Sequence, residues 1–128
     1  MRVLVDTHAY LWFVAAPTSC SALALATLSS PANELFLSVA SVWEIAIKRN
    51  LGRLGLVSNP SAFVALQRRR YGIKTLNIVA SDALAVANLP RYHNDPFDRL
   101  LVAQALRRTW PIVTSDPTIG LYGAPVIW

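Results

Sequence analysis

Short runs of Val, Ile and Leu alternate with longer helix-forming segments along the whole chain, and this alternation restricts the fold more than any other feature. Residues 2–5 (RVLV) form a β-branched apolar run that ends at Asp6, and 34–38 (ELFLS), 73–76 (IKTL), 111–114 (PIVT) and 125–128 (PVIW) have the same character. Runs this short, bounded by turn residues, read as strands. The segments between them carry helical signals. Thr7 to about Ala15 is stopped by Pro17, and Ser21 to Ser29 ends at Ser30-Pro31. Val39 to Asn50 shows one face made by Val39, Val42, Trp43, Ala46 and Ile47, with Gly52 just past its end and an LGRLGL turn after it. Ser61 to Arg70 is broken by Gly72, Ser81 to Asn88 by Leu89-Pro90, and Pro96 to Arg108 is the longest. Ser115 to Leu121 reads as a turn or short helix. Strands separated by helices predict βαβ units, an α/β fold with a central, mostly parallel β-sheet flanked by helices.

The 128 residues show no internal repeat, linker or low-complexity stretch, so residues 1–128 read as one domain. Hydrophobic residues make up 54% and charged residues 15%, against about 45–50% and roughly 25% in an average soluble domain. Surplus apolar surface in so small a chain predicts burial against a partner, with a dense core plus ordinary exposed aliphatics as the alternative. The longest apolar runs, AYLWFVAA and FLSVASVW, fall short of the roughly 20 residues that cross a bilayer. A signal-peptide pattern is lacking, and Cys20 has no cysteine to pair with, so a cytoplasmic location is expected. The net charge of +5 suits a polyanionic partner.

Ligands of open parallel sheets bind outside the C-terminal strand ends, where loops and helix starts converge. Asp6 ends the first strand, Glu44 lies in the first turns of the helix after the second, Asp98 opens the long helix, and Asp116 follows the fourth strand by two residues. Gathered carboxylates repel one another and call for a cation. An all-oxygen set selects Mg²⁺, with Mn²⁺ as a substitute, rather than zinc. Such a site activates water and stabilises the leaving oxygen of a phosphodiester. Each acid also has an ordinary role open to it. Asp6 can cap the helix at Thr7, and Ser41-Val42-Trp43-Glu44 has the capping-box spacing. Glu44 can pair with Lys48 four residues on, and Asp95-Pro96 and Asp116-Pro117 are cap-then-proline sequences.

VDTHAYLW, SVASVWEIAIKRNLGRL, HNDPFDRLLVAQAL and IVTSDPTIGLYG, in that order, resemble the PIN-domain family, and most closely the VapC-type toxins of bacterial toxin–antitoxin pairs. The resemblance covers essentially the whole chain. It implies a Rossmann-like fold, Mg²⁺-dependent hydrolysis of RNA, a cognate VapB-type antitoxin that neutralises the activity, and a homodimer or larger toxin–antitoxin complex. By motif it assigns Asp6, Glu44, Asp98 and Asp116 to catalysis. Asp6 and Asp98 are then the direct metal ligands, with Glu44 and Asp116 binding directly or through water. Asp95 reads mainly as the helix cap and secondarily as an outer-shell residue. Thr7, Ser41 and Thr114 stand close enough in sequence to their acids to hydrogen-bond them, Thr114 serving equally as a plain strand-end residue. Arg99 and the clusters Arg68–Arg70 and Arg107-Arg108 are candidate RNA contacts, with solvated helix ends as the ordinary alternative. His8 reads as a packing residue, neither His8 nor His93 is required as a base, and Trp12, Trp43 and Phe97 read as core or interface rather than as base-stacking platforms. The competing class is a non-enzymatic receiver-like or RNA-binding α/β module. Against a receiver stand the missing acid pair after the first strand and Lys74, which precedes a strand rather than following one.

Overall fold

The computed structural model describes residues 1–50 and 59–128, the side chains of residues 49 and 50 excepted. The LGRLGL turn and Gly52 lie outside the described residues. The strands are β1 (Arg2–Val5), β2 (Glu34–Ser38), β3 (Lys74–Leu76), β4 (Ile112–Val113) and β5 (Val126–Ile127). They form one sheet in the order β3-β2-β1-β4-β5, and every pairing is parallel. The helices are α1 (Thr7–Ala15), α2 (Ala22–Ser29), α3 (Val39–Asn50), α4 (Pro60–Tyr71), α5 (Ala80–Ala85), α6 (Pro96–Arg108) and α7 (Pro117–Gly120).

Side-chain alternation along the central strands feeds two cores, one on each face. Val3 and Val5 of β1 point to the face covered by α1, α2 and α3, where Tyr10, Phe13, Leu28 and Ile45 are buried. Leu4 points to the opposite face, where Leu101, Val102 and Ala105 of α6 pack with Ile112 and Ile119. Burial on both faces explains why Val3, Leu4 and Val5 are all apolar, while Arg2 at the start of β1 is exposed.

Local chemistry sets the helix ends. Ser21 and Asn59 accept hydrogen bonds from Ala24 N–H and Ala62 N–H, capping α2 and α4. Ser38 accepts from Ala40 N–H at the start of α3. Gly72 closes α4 in the left-handed conformation (φ 65°) that glycine adopts without steric cost. The sequence-predicted Ser81–Asn88 helix is shorter than expected. It is α-helical only to Ala85 and tightens to a 3₁₀ turn over Val86–Asn88.

Strand order fixes where a ligand can sit. The chain runs outward from β1 through β2 to β3, then returns to β4 on the other side of β1. The reversal opens a crevice between the C-terminal ends of β1 and β4, the usual binding position in such sheets. A receiver-type sheet of order 2-1-3-4-5 would place its crevice between other strands, so this topology does not match the receiver-like alternative.

Candidate active site

The crevice is lined by Asp6, His8, Trp12, His93, Asp98, Ser115 and Asp116, around a volume of about 420 Å³. Asp6 enters from the end of β1 and is buried, with 4% of its surface exposed. Although it occupies the N-cap position of α1, its side chain makes no capping bond. It accepts instead from Thr114 Oγ1 at 2.9 Å. Thr114 Oγ1 also accepts from Asp116 N–H at 3.1 Å, so one hydroxyl ties the end of β4 to both acids. Burial pushes the Asp6 carboxyl up, the nearby Glu44 charge adds to the rise, and the Thr114 hydrogen bond opposes it.

Glu44 is buried on α3, and its Oε2 lies 3.0 Å from Lys48 Nζ. The capping-box alternative does not hold, because α3 begins at Val39 and so contains both Ser41 and Glu44. Ser41 and Thr7 are buried beside their acids. Asp98 stands in the first turn of α6, which Asp95 caps by accepting from Phe97 N–H and Asp98 N–H. The Asp98 carboxyl is pushed up to about 7, first by burial and then by the charges of Asp6 and Asp95, with Glu44 contributing and His93 opposing. Asp116 goes the other way. Burial works against its ionisation, but hydrogen bonds from Thr118 N–H and from His93 outweigh that and hold the carboxyl below its ordinary range.

His93 is the site residue whose position sequence reasoning missed. Its Nε2 lies 2.8 Å from Asp116 Oδ2 and 3.1 Å from Asp98 Oδ2. Its Nδ1 accepts from Asp95 N–H at 3.0 Å, which assigns the ring proton of the neutral imidazole to Nε2. The His93, Asp98 and Asp116 ligand atoms lie within 4.8 Å of one another. Even so, a nitrogen that donates its proton to carboxylates has no lone pair for a metal. His93 thus hydrogen-bonds Asp116 and stands beside Asp98. The sequence clue was its position two residues before the Asp95-Pro96 cap.

The arginine expectations need correction. Arg99 turns inward, its guanidinium donating to the carbonyls of Val86, Leu89, Pro90 and His93 and to Tyr122 Oη. Tyr122 Oη also accepts from His93 N–H at 2.7 Å. Arg99 therefore organises the loop that carries His93 and is not available to a phosphate. Arg107 and Arg108 are engaged by the fully buried Asp82, Arg108 at 2.8 Å. Arg68, Arg69 and Arg70 are exposed but end α4 beside Gly72, Ile73 and Lys74, where β3 begins. That is the opposite rim of the sheet from the acids. Trp12 was expected in the core or an interface, and it lines the crevice instead.

The family model of the PIN domain matches residues 3–122. The chain belongs to the PIN-domain family. It is also 31% identical over 115 residues to Ribonuclease VapC22 of Mycobacterium tuberculosis, covering 89% of this chain and 86% of that protein. Among solved structures, its fold is similar to VapBC2 from Rickettsia felis bound to a DNA fragment from their promoter. That likeness has a TM-score of 0.70 at 11% identity and covers 98% of this chain and 96% of the other. FitAcB from Neisseria gonorrhoeae gives a TM-score of 0.64 at 18% identity, covering 97% and 95%. At these identities the two structures speak for the PIN fold alone. Among the described residues, no helix is long and apolar enough to cross a membrane.

Proposed function

We propose that this PIN domain, spanning residues 1–128, is a divalent-cation-dependent ribonuclease that hydrolyses RNA phosphodiester bonds at the carboxylate crevice. The observation that carries the reading is the crowding at Asp98, whose carboxyl is raised to about 7 by burial and by its acidic neighbours. Acids packed closely enough to retain a proton near neutrality lack an adequate positive partner, and a divalent cation is the partner that removes the strain. The donors fit such an ion. They are oxygens, matched to Mg²⁺ or Mn²⁺, while His93 presents a proton instead of a lone pair.

Asp6 and Asp98 would hold the ion directly, with Glu44 and Asp116 binding directly or through water. When bound, it neutralises the crevice, polarises a phosphate oxygen and lowers the pKa of attached water. The chain's own residues supply the placement. Thr114 orients Asp6, His93 keeps Asp98 and Asp116 on one side of the crevice, and Asp95 fixes the first turn of α6. The buried Thr7 and Ser41 back the acids they adjoin.

RNA as substrate is supported by the ribonuclease at 31% identity and by the net charge of +5. By the same likeness we assign the chain the toxin role in a cytoplasmic toxin–antitoxin pair, neutralised by a small antitoxin protein.

The test is cleavage of total cellular RNA by purified protein with Mg²⁺ or Mn²⁺, beside Asp6→Asn and an EDTA control. Cleavage that disappears in EDTA and in Asp6→Asn, with an unchanged circular dichroism spectrum, is expected. Full activity in EDTA refutes the cation-dependent mechanism, and harmless expression of an active enzyme refutes the toxin role.

A further inference from the structure

We propose that Trp12 is a stacking platform for an unpaired nucleobase flanking the scissile phosphate. This inference rests on the ribonuclease reading and adds to it. Trp12 lines the same crevice as Asp6, Asp98 and Asp116. The helix that begins beside Asp6 carries it six residues further on, a rise of about 9 Å. Helical side chains lean toward the N-terminus, so the indole tilts back toward the acids. His8, four residues before it on the same helical face, lies 6.0 Å away between ring centroids and is exposed.

Its packing differs from that of a core tryptophan. One neighbour is Trp128, with ring centroids 5.7 Å apart, and Trp128 itself packs on the core under α1. Trp12 is thus a half-buried indole backed by a second indole and turned to a crevice otherwise lined by acids, histidines and Ser115. An indole can neither bind a cation through a lone pair nor contact phosphate by charge. What it offers is a flat π-face, which every base can use. Bases in a duplex are already stacked on their neighbours, so only a strand with splayed bases can use this face. Trp43 is the more exposed tryptophan, but it packs edge-on against Phe97 and does not line the crevice.

The experiment uses full-length protein with Mn²⁺ and a short single-stranded RNA carrying an abasic ribose at each position in turn. In the wild type, one position next to the cut should raise KM by about 5- to 100-fold when its base is removed, the range expected for one stacked base. Trp12→Ala should raise KM on the intact RNA by a similar factor with kcat within about twofold, and removing that base should then add nothing further. Trp12→Phe should recover most of the loss. Trp12→Leu, which keeps apolar bulk against Trp128, should not, and it serves if the alanine variant fails to fold. Duplexing the RNA should suppress cleavage. Wild-type cleavage with no base-sensitive position overturns the platform alone, as do effects of Trp12→Ala and base removal that simply multiply. Absence of any cation-dependent cleavage by the wild type overturns the ribonuclease reading and this inference together.

Discussion

Lowering the pH from 8 to 6 should weaken Mn²⁺ binding to this protein about tenfold, because the ion must displace a proton held at Asp98. That carboxyl is raised to about 7 in the cation-free protein, whereas a ligand carboxylate must be ionised. The apparent dissociation constant then rises by a factor of about 1 + 10^(pKa − pH), roughly 11 at pH 6 and 1.1 at pH 8. At pH 7 each ion bound should release about half a proton. Titration calorimetry in two buffers of different ionisation enthalpy reads the proton release, and the paramagnetic resonance of free Mn²⁺ reads the affinity. Asp98→Asn should bind weakly at both pH values and lose the pH dependence. Stability gives an independent check on sign. The folded-state value at Asp98 lies above that of an unfolded chain, so its contribution is fully present below about pH 4 and is lost as the pH rises through about 7. Without metal, the protein should melt at a lower temperature at pH 8 than at pH 6, and saturating Mn²⁺ should reverse that order. Equal affinity at both pH values, with buffer-independent heats, would refute the account of the crowded acids.

Four further outcomes are expected. Asp82→Asn replaces the buried carboxylate that Arg107 and Arg108 engage by a neutral amide, and because both arginines keep access to water, urea denaturation should register a loss of about 1–3 kcal/mol. Burial opposes ionisation of Asp82, but Arg108, Val79 N–H and Arg107 outweigh it and hold the carboxyl well below its ordinary range. Its stabilisation should therefore be intact above about pH 4 and fade progressively as acid takes the pH from there down through the lowered folded-state value. Thr114→Val removes the donor to Asp6 and the acceptor of Asp116 N–H, and should lower cation affinity about 10- to 100-fold together with a stability loss of about 1–3 kcal/mol read as a lower melting temperature. Arg99→Lys cannot satisfy the set of carbonyls that the guanidinium spans, so amide exchange should speed up in the loop around His93 and activity should fall. Thr109 is a β-branched residue at φ 56°, and Thr109→Gly should stabilise the fold by about 0.5–1 kcal/mol, measured as a higher melting temperature.

The sequence revealed the sheet through runs such as Val3-Leu4-Val5, whose unbroken apolar character belongs to a strand covered on both faces. Helix ends were legible where caps and prolines marked them, as at Asp95-Pro96. The acids could be placed at one rim because each follows a strand or opens a helix. Pairings between distant side chains were not legible. Nothing local to Arg99 reveals that its guanidinium folds back on the carbonyls of residues 86–93, and nothing around Asp82 reveals two arginines arriving from α6. His93 was hidden for the same reason, since its role depends on Asp116, 23 residues away, and on a backbone N–H that fixes its tautomer.

Because every strand runs the same way, the two rims of the sheet are chemically unlike. Asp6, Glu44, Asp95, Asp98 and Asp116, five of the seven acids, lie toward one, while at the other Lys74 begins a strand beside the Arg68–Arg70 helix end and Glu34 pairs with Arg2 and Lys74. A nucleic acid offered without metal should therefore be drawn to the basic rim, the wrong pole for cleavage. Unproductive capture at the basic pole should grow as salt is lowered, so turnover should pass through an optimum in ionic strength instead of rising steadily toward dilute buffer.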